Sequence, residues 1–223
     1  FIGQCKESVW KYKAEWEALT DRIGFWLDMD DPYVTYSKEY VESVWWALKT
    51  INEKGLLYKG FKILPWCPRD MTALSAGEVG QGYVEVVDPA ITVAFKLKDE
   101  DASVLAWTTT PWTLLSNVCT VVGEAIDYVY ARKGDATYVL AEARVEAVLG
   151  KKDVEILKTV KGKDLVGKAY EPLFNYYGEL DGPAHVVVAG DFVTTKDGTG
   201  IVHAAPAFGE DDNRVCKDNK LAF

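Results

Sequence analysis

The hydrophobic pattern of this chain changes period once, near residue 83, and that change limits the possible folds more than any other feature. Before it, apolar residues step by three and four. Val9, Tyr12, Trp16, Leu19 and Ile23 fall on one face of a helix predicted over residues 4–23. Asp28 to Pro32 reads as a turn. Ser37 is placed to cap a second helix that carries Tyr40, Val41, Val44, Trp45, Leu48 and Ile51 on one face and stops at Gly55. Two short strands, Leu56–Tyr58 and Phe61–Pro65, are expected around Lys59-Gly60, followed by a Gly-, Ser- and Pro-punctuated connection over 66–82. After residue 83 the pattern alternates with period two. Strands are predicted at 83–87, 91–97, 103–107, 118–122, 127–132, 136–141, 154–158, 184–190 and 200–204, with a hairpin at Gly134-Asp135 and a short helix over 142–149. The reading is α+β, mainly β: a helical stem and connecting segment over 1–82, then a strand-rich domain over 83–223. Many short strands joined by short turns suit a barrel or a sandwich.

Composition narrows the class further. At 223 residues and 48% hydrophobic, the chain can build a good-sized core. It has no run of about eighteen apolar residues, so no membrane span is expected, and no signal peptide opens it. A cytoplasmic, monomeric protein is the expectation. The start at Phe1 and the end at Ala222-Phe223 are read as those of a piece of a longer chain. Cys5, Cys67, Cys119 and Cys216 lie far apart without a C-x-x-C pair, so reduced thiols are expected and a zinc site is not. The net charge of −9 argues against a module that binds nucleic acid independently, because phosphate contacts call for a basic surface.

Two segments carry chemistry. The first is Ala106-Trp107-Thr108-Thr109-Thr110-Pro111-Trp112-Thr113, three consecutive hydroxyl side chains between two tryptophans. Threonines favour extended backbone, and their hydroxyls both donate and accept. Hydroxyls walled by flat rings suit a small polar group beside a size-limited apolar one. Read alone, the segment fits an ordinary strand end equally well. The second is Gly198-Thr199-Gly200-Ile201-Val202-His203-Ala204-Ala205-Pro206-Ala207-Phe208-Gly209-Glu210-Asp211-Asp212, which puts one of only two histidines at a strand end before an acidic run.

Together the two segments resemble the editing domain, the connective peptide 1 insertion, of the isoleucine, valine and leucine class of aminoacyl-tRNA synthetases. W-T-T-T-P-W-T and G-T-G-I-V-H-x-A-P-x-F-G-E-D-D are similar to the isoleucyl member. The valyl and leucyl relatives usually carry T-T-R-P-x-T, where this chain has Thr110 in the arginine position, and they tend to lack a histidine at the position of His203. The resemblance runs through most of the chain, including Trp45-Trp46 and Lys62 to Glu78. Two departures stand out. The family's C-P-R-C is Cys67-Pro68-Arg69-Asp70 here, which removes a zinc-binding cysteine. Its T-L-P-x-N is Thr113-Leu114-Leu115-Ser116-Asn117, with leucine for proline.

The resemblance implies a β-barrel fold. It implies hydrolysis of the ester of mischarged Val-tRNA(Ile), with valyl-adenylate as a second substrate, and partners that are the tRNA(Ile) 3′ end and valine or its analogues. Asp212 matches the family's essential aspartate and is expected to hold the substrate α-ammonium. His203 is expected to orient a water or the terminal ribose, and Thr108, Thr109 and Thr110 to meet the carbonyl, the water or the ribose. At most two of three successive strand residues face one side, so one threonine is expected to be structural. Trp107, Trp112, Phe208, Asn117 and Asp211 are expected around the substrate, with the tryptophans as pocket wall or stacking surface. His185 has no motif around it and is read as structural. No cofactor is expected in this segment, and ATP and magnesium belong to a parent enzyme whose H-I-G-H and K-M-S-K-S type signatures are not found here. The alternatives are a non-catalytic module that receives the tRNA 3′ end, and the editing domain of the valyl or leucyl relative.

Overall fold

A computed structural model describes all residues Phe1–Phe223. The chain divides into two units, Phe1–Phe61 and Lys62–Phe223, so the connecting segment 62–82 groups with the strands rather than with the helices.

The first unit holds α1 (Ile2–Trp10), α2 (Lys13–Arg22) and α3 (Lys38–Glu53). The helix expected over 4–23 is broken in two, because the Tyr12 backbone, at φ −114 and ψ 19, leaves the helical region. α3 starts where Ser37 predicts: its Oγ accepts the Tyr40 N–H at 3.2 Å and satisfies one of the free donors of the first turn. No residue of the three helices is buried.

The second unit opens with a two-stranded ribbon, β1 (Trp66–Cys67) against β2 (Thr72–Ala73), and α4 (Ala76–Gln81). Ser75 and Glu78 close a reciprocal capping box on α4, which turns part of the connection expected over 66–82 into a helix. The segments 56–58, 61–65 and 83–87 form no strands. Their apolar runs meet no partner ladder, and an isolated hairpin is marginal in water.

The main sheet comprises β3 (Ile91–Lys96), β4 (Ser103–Thr108), β5 (Cys119–Val122), β6 (Asp127–Lys133), β7 (Ala136–Ala141), β8 (Val154–Lys161), β9 (Val186–Ala189) and β10 (Val202–Ala204). Two further helices are α5 (Val145–Leu149) and α6 (Glu210–Asp218). The spatial order is β8-β6-β7-β4-β10-β5-β9, with β3 paired to β4. β4 is the branch point. It pairs antiparallel with β3 along its whole length, and parallel with β7 at its start and β10 at its end. This branching curls the sheet into a half-barrel: β8 is an edge strand, while the outer side of β9 is hydrogen-bonded to residues 167–170, which also bridge to the end of β3.

Three apolar clusters fill it. The largest takes Phe95, Val104, Ala106, Val122, Tyr128, Val139, Leu165, Tyr170 and Ile201. A second joins Cys119, Val121, Val188 and Ala204 to Val215 and Cys216 of α6, and a third lies under Leu105, Val129, Leu140 and Leu149. Alternation along each strand decides which cluster a residue joins, and so it decides what faces the site. Val104 and Ala106 point into the largest cluster and Leu105 away from it.

Candidate functional site

The period-two rule places Thr108 on the side of Val104 and Ala106, and Trp107 on the side of Leu105. Thr108 is buried at the end of the largest cluster. The chain then turns into a 3₁₀ segment, Pro111–Ser116, whose proline suits a first helical position. Thr108 Oγ1 accepts the Thr110 N–H at 3.0 Å and lies 3.3 Å from the Thr110 hydroxyl, which lies 3.4 Å from that of Thr113. Thr113 Oγ1 donates to the Thr110 carbonyl at 2.8 Å. The hydroxyls of Thr108, Thr110 and Thr113 therefore form one chain. Thr109 is exposed and outside it.

β10 brings His203 to this chain. The pairing of Val202 with Trp107 sets His203 alongside Thr108, and Ile201 and His203 share the face of the largest cluster. The imidazole is buried and both its nitrogens are engaged. Nε2 lies 2.8 Å from Thr113 Oγ1, and Nδ1 lies 3.0 Å from Asn117 Nδ2. The roles follow from acceptors that have no choice. Asn117 Nδ2 also donates to the Cys119 carbonyl at 3.0 Å, so the amide nitrogen, not its oxygen, faces His203. Nδ1 is then the acceptor and Nε2 carries the proton, which it gives to Thr113 Oγ1. Burial alone pushes the His203 imidazole down to about 4, so at neutral pH it is uncharged. With Nδ1 already accepting, this histidine has no free lone pair with which to deprotonate a water.

Asp212 stands in the first turn of α6. Its Oδ2 accepts the Ala205 N–H at 2.9 Å, two residues beyond His203, and no protein donor reaches Oδ1. Burial holds its carboxyl above the usual carboxylate range, helped by the neighbouring charge of Asp211 and opposed by the Ala205 N–H. Gly209 makes this fold-back possible. A Cβ there would lie 2.8 Å from the Asp212 carboxyl carbon, so only glycine lets the carboxylate lie against the helix start. The glycine of G-E-D-D is the sequence signal for this contact.

The remaining expected residues separate into two groups. Trp112 and Phe208 meet edge-to-face at 5.0 Å, with both rings largely exposed, and tie the threonine turn to the acidic turn. Asp211 turns away from this group and pairs with Arg214 at 2.9 Å, which also grips Asp191. Trp107 belongs to a different cleft, with Leu105, Tyr138, Arg144 and Gly198, on the opposite face of β4 from Thr108. Tyr170, Thr113 and Thr120 were missed. Tyr170 donates to Asn117 Oδ1 at 2.7 Å. Thr120 lies directly across from His203 in the ladder, and its buried hydroxyl has no partner. Thr113 stands inside the W-T-T-T-P-W-T segment, three residues beyond Thr110, while nothing in a single sequence marks Tyr170 or Thr120. A cavity of about 340 Å3 opens beside the Leu114–Val118 stretch, lined by Lys98, Phe174 and His185 among others, and of the expected site residues it touches only Asn117.

No group of three or more His, Cys, Asp or Glu side chains is assembled as a metal centre. Cys67 instead donates to Asp70 Oδ2 at 3.1 Å, the residue standing where the family has its second cysteine. No helix is long and apolar enough to cross a membrane.

A family model described as tRNA synthetases class I (I, L, M and V) matches residues 1–178. The chain belongs to this family. Isoleucine–tRNA ligase of Clostridium kluyveri is 53% identical over 216 residues, covering 97% of this chain and 21% of that protein. Isoleucine–tRNA ligase of Bacillus thuringiensis is 50% identical over 224 residues, again 21% of its length. The chain thus spans about a fifth of the ligases it matches. Among solved structures, the crystal structure of GlLeuRS-CP1 superposes with a TM-score of 0.50 at 18% identity, over 58% of this chain and 60% of that one. That likeness concerns the fold alone.

Proposed function

We propose that this segment of a synthetase is an editing domain that hydrolyses the ester joining valine to tRNA(Ile). The observation that carries the proposal is the Asp212 carboxylate. It is half-buried, fixed through one oxygen to the Ala205 N–H, open at the other, and held at the same sheet end as the Thr108 and Thr110 hydroxyls. A fixed anion with a free oxygen suits a substrate ammonium, and hydroxyls on a rigid turn suit a carbonyl or ribose. Trp112 and Phe208 supply the apolar wall.

The chemistry needs no proton-accepting side chain from His203, whose lone pair is committed to Asn117. Water placed by the threonine hydroxyls and the substrate's own ribose hydroxyl attacks the ester carbonyl carbon; the acyl–oxygen bond to the ribose breaks, the proton lost by the water passes to the departing ribose oxygen, and free valine and uncharged tRNA are released. Selection against isoleucine rests on size. One buried methylene is worth only about 0.8 kcal/mol in an accommodating pocket, whereas forcing it into a filled one costs ~1–3 kcal/mol. Valyl-adenylate is a second candidate substrate. Joining isoleucine to tRNA with ATP and magnesium is assigned to the rest of the parent enzyme, in the cytoplasm.

The test is release of valine from preformed Val-tRNA(Ile), with Ile-tRNA(Ile) as the control. Turnover of the first and sparing of the second is the expected result. Binding without turnover would replace this reading with a module that only receives the tRNA 3′ end. Preference for Ile- or Thr-charged tRNA would move the chain to the leucyl or valyl side of the family.

A further inference from the structure

We propose that Tyr170 is a positioning residue of the candidate editing site: its phenol locks the Asn117 amide, and through it the tautomer of His203 and the set of the threonine turn. The inference rests on the editing reading for its catalytic consequence, and on geometry alone for its structural one.

Tyr170 is fully buried and cannot shift easily. Its ring packs edge-to-face on Phe95 at 5.1 Å and on His185 at 5.9 Å, and its N–H donates to the His185 carbonyl at 2.9 Å. From this fixed point a directed series of hydrogen bonds runs outward. The Tyr170 hydroxyl donates to Asn117 Oδ1 at 2.7 Å. Asn117 Nδ2 donates to His203 Nδ1 at 3.0 Å. His203 Nε2–H donates to Thr113 Oγ1 at 2.8 Å, and the Thr113 hydroxyl, its oxygen now serving as acceptor, donates to the Thr110 carbonyl at 2.8 Å. Each hydrogen in the series has its own acceptor, the second Asn117 Nδ2 hydrogen going to the Cys119 carbonyl, so the order cannot reverse without leaving a buried polar group unpaired.

The consequence reaches the outer threonines. Closure of the turn by Thr113 holds Thr110, the exposed member of the chain, next to the buried Thr108. Without the phenol, Asn117 Oδ1 loses its donor. The Nδ1–H form of His203 then becomes competitive, since that hydrogen can be given to a rotated amide. Nε2 would in that state accept from Thr113 and take its hydroxyl away from Thr110. The turn would keep its sequence and lose its set.

The experiment uses the chain labelled with 15N-histidine, whose two rings are told apart with His185→Asn. The ring-nitrogen spectrum of the wild type is expected to show His203 in the Nε2–H form, and Tyr170→Phe is expected to show a mixture of both forms. For Val-tRNA(Ile) hydrolysis, Tyr170→Phe should lower kcat about tenfold, in line with loss of one buried hydrogen bond, and leave KM within about twofold. Added to His203→Gln, the same substitution should cost nothing further, because its effect runs through that ring. A wild-type His203 in the Nδ1–H form overturns the proposal, whether or not the variant folds. So does an unchanged tautomer in Tyr170→Phe, or an equal loss of kcat in the His203→Gln background. A wild-type chain that does not release valine sinks the editing reading instead, and the ring-nitrogen spectrum then still decides whether Tyr170 sets the tautomer.

Discussion

The helical unit, Phe1–Phe61, and the β unit, Lys62–Phe223, both carry many large apolar side chains, but only the second buries them. Trp45 and Trp46 on α3 are 67% and 69% exposed, whereas Phe95, Val104, Tyr128 and Leu140 in the sheet are inaccessible to solvent. No residue of the first unit is buried. The difference teaches that a hydrophobic period reports which face of an element is apolar and not what covers it. In the β unit each apolar face meets another, and the polar end of the largest cluster becomes the candidate site. In the helical unit the faces are drawn equally well by the sequence and remain open.

The sharpest way to break this comparison is to add a single methyl group to each unit. Gly162→Ala would set a Cβ 2.0 Å from the Gly123 carbonyl oxygen, a backbone atom that cannot step aside. We expect a loss of about 4 kcal/mol or more in denaturant unfolding followed by circular dichroism. Gly3→Ala in α1 meets nothing within 4 Å and should gain about 1 kcal/mol from helix propensity. Equal effects at the two positions would erase the distinction. Truncation of a side chain comes next. Leu140→Ala should cost ~2–5 kcal/mol, while Trp45→Ala stays within ~0.5 kcal/mol on the same assay.

Acid sharpens the contrast, because both histidines lie in the β unit. The folded His203 titrates near 4 against an ordinary 6.5. Between those values the unfolded chain binds a proton that the native chain refuses. The stability from the neutral buried ring is therefore complete above pH 6.5 and is lost as the pH falls toward 4, a change of roughly 3 kcal/mol. His185, also lowered by burial and by Lys98, adds in the same direction, and Asp212, raised by burial, acts in the opposite one. A series of unfolding curves from pH 7 to pH 4 should flatten in His203→Gln, and an unchanged slope would show that the ring is not the neutral, enclosed group described. The smallest effect expected is at Thr120. Its hydroxyl is buried without a partner, so Thr120→Val should stabilise the β unit by ~1 kcal/mol in thermal melts. A loss there would mean that the hydroxyl has a partner, such as an ordered water.

The sequence made some of this legible for physical reasons that can be named. Ser37 and the 3.6-residue period marked α3, and alternation marked the strands from Ile91 onward, because both signals are local. The failure of residues 83–87 to pair depends on a partner strand that no local pattern encodes, and the period of three and four that runs through Tyr12 does not mark the break between α1 and α2. Period two also separated the threonines: Thr108 and Thr110 meet while Thr109 faces out. The same rule puts Trp107 on the opposite face of β4, away from Trp112 and Thr108. Asp211 and Asp212 part because successive helix residues point about 100° apart, and Arg214 claims Asp211. Thr120 reaches the site through the pairing of β5 with β10, and Tyr170 through its bridge to Leu97 and its hydrogen bond to the His185 carbonyl, long-range pairings that a single sequence does not state.

The most direct measurement compares the wild-type chain with Asp212→Asn for release of valine from Val-tRNA(Ile). The substitution keeps an oxygen for the Ala205 N–H and removes only the charge. The prediction is a wild-type chain that hydrolyses the ester, and a variant that melts at the same temperature but is slower by about a hundredfold or more. Equal rates in the two proteins, or no hydrolysis by either, would contradict the assignment of this carboxylate and the editing reading built on it.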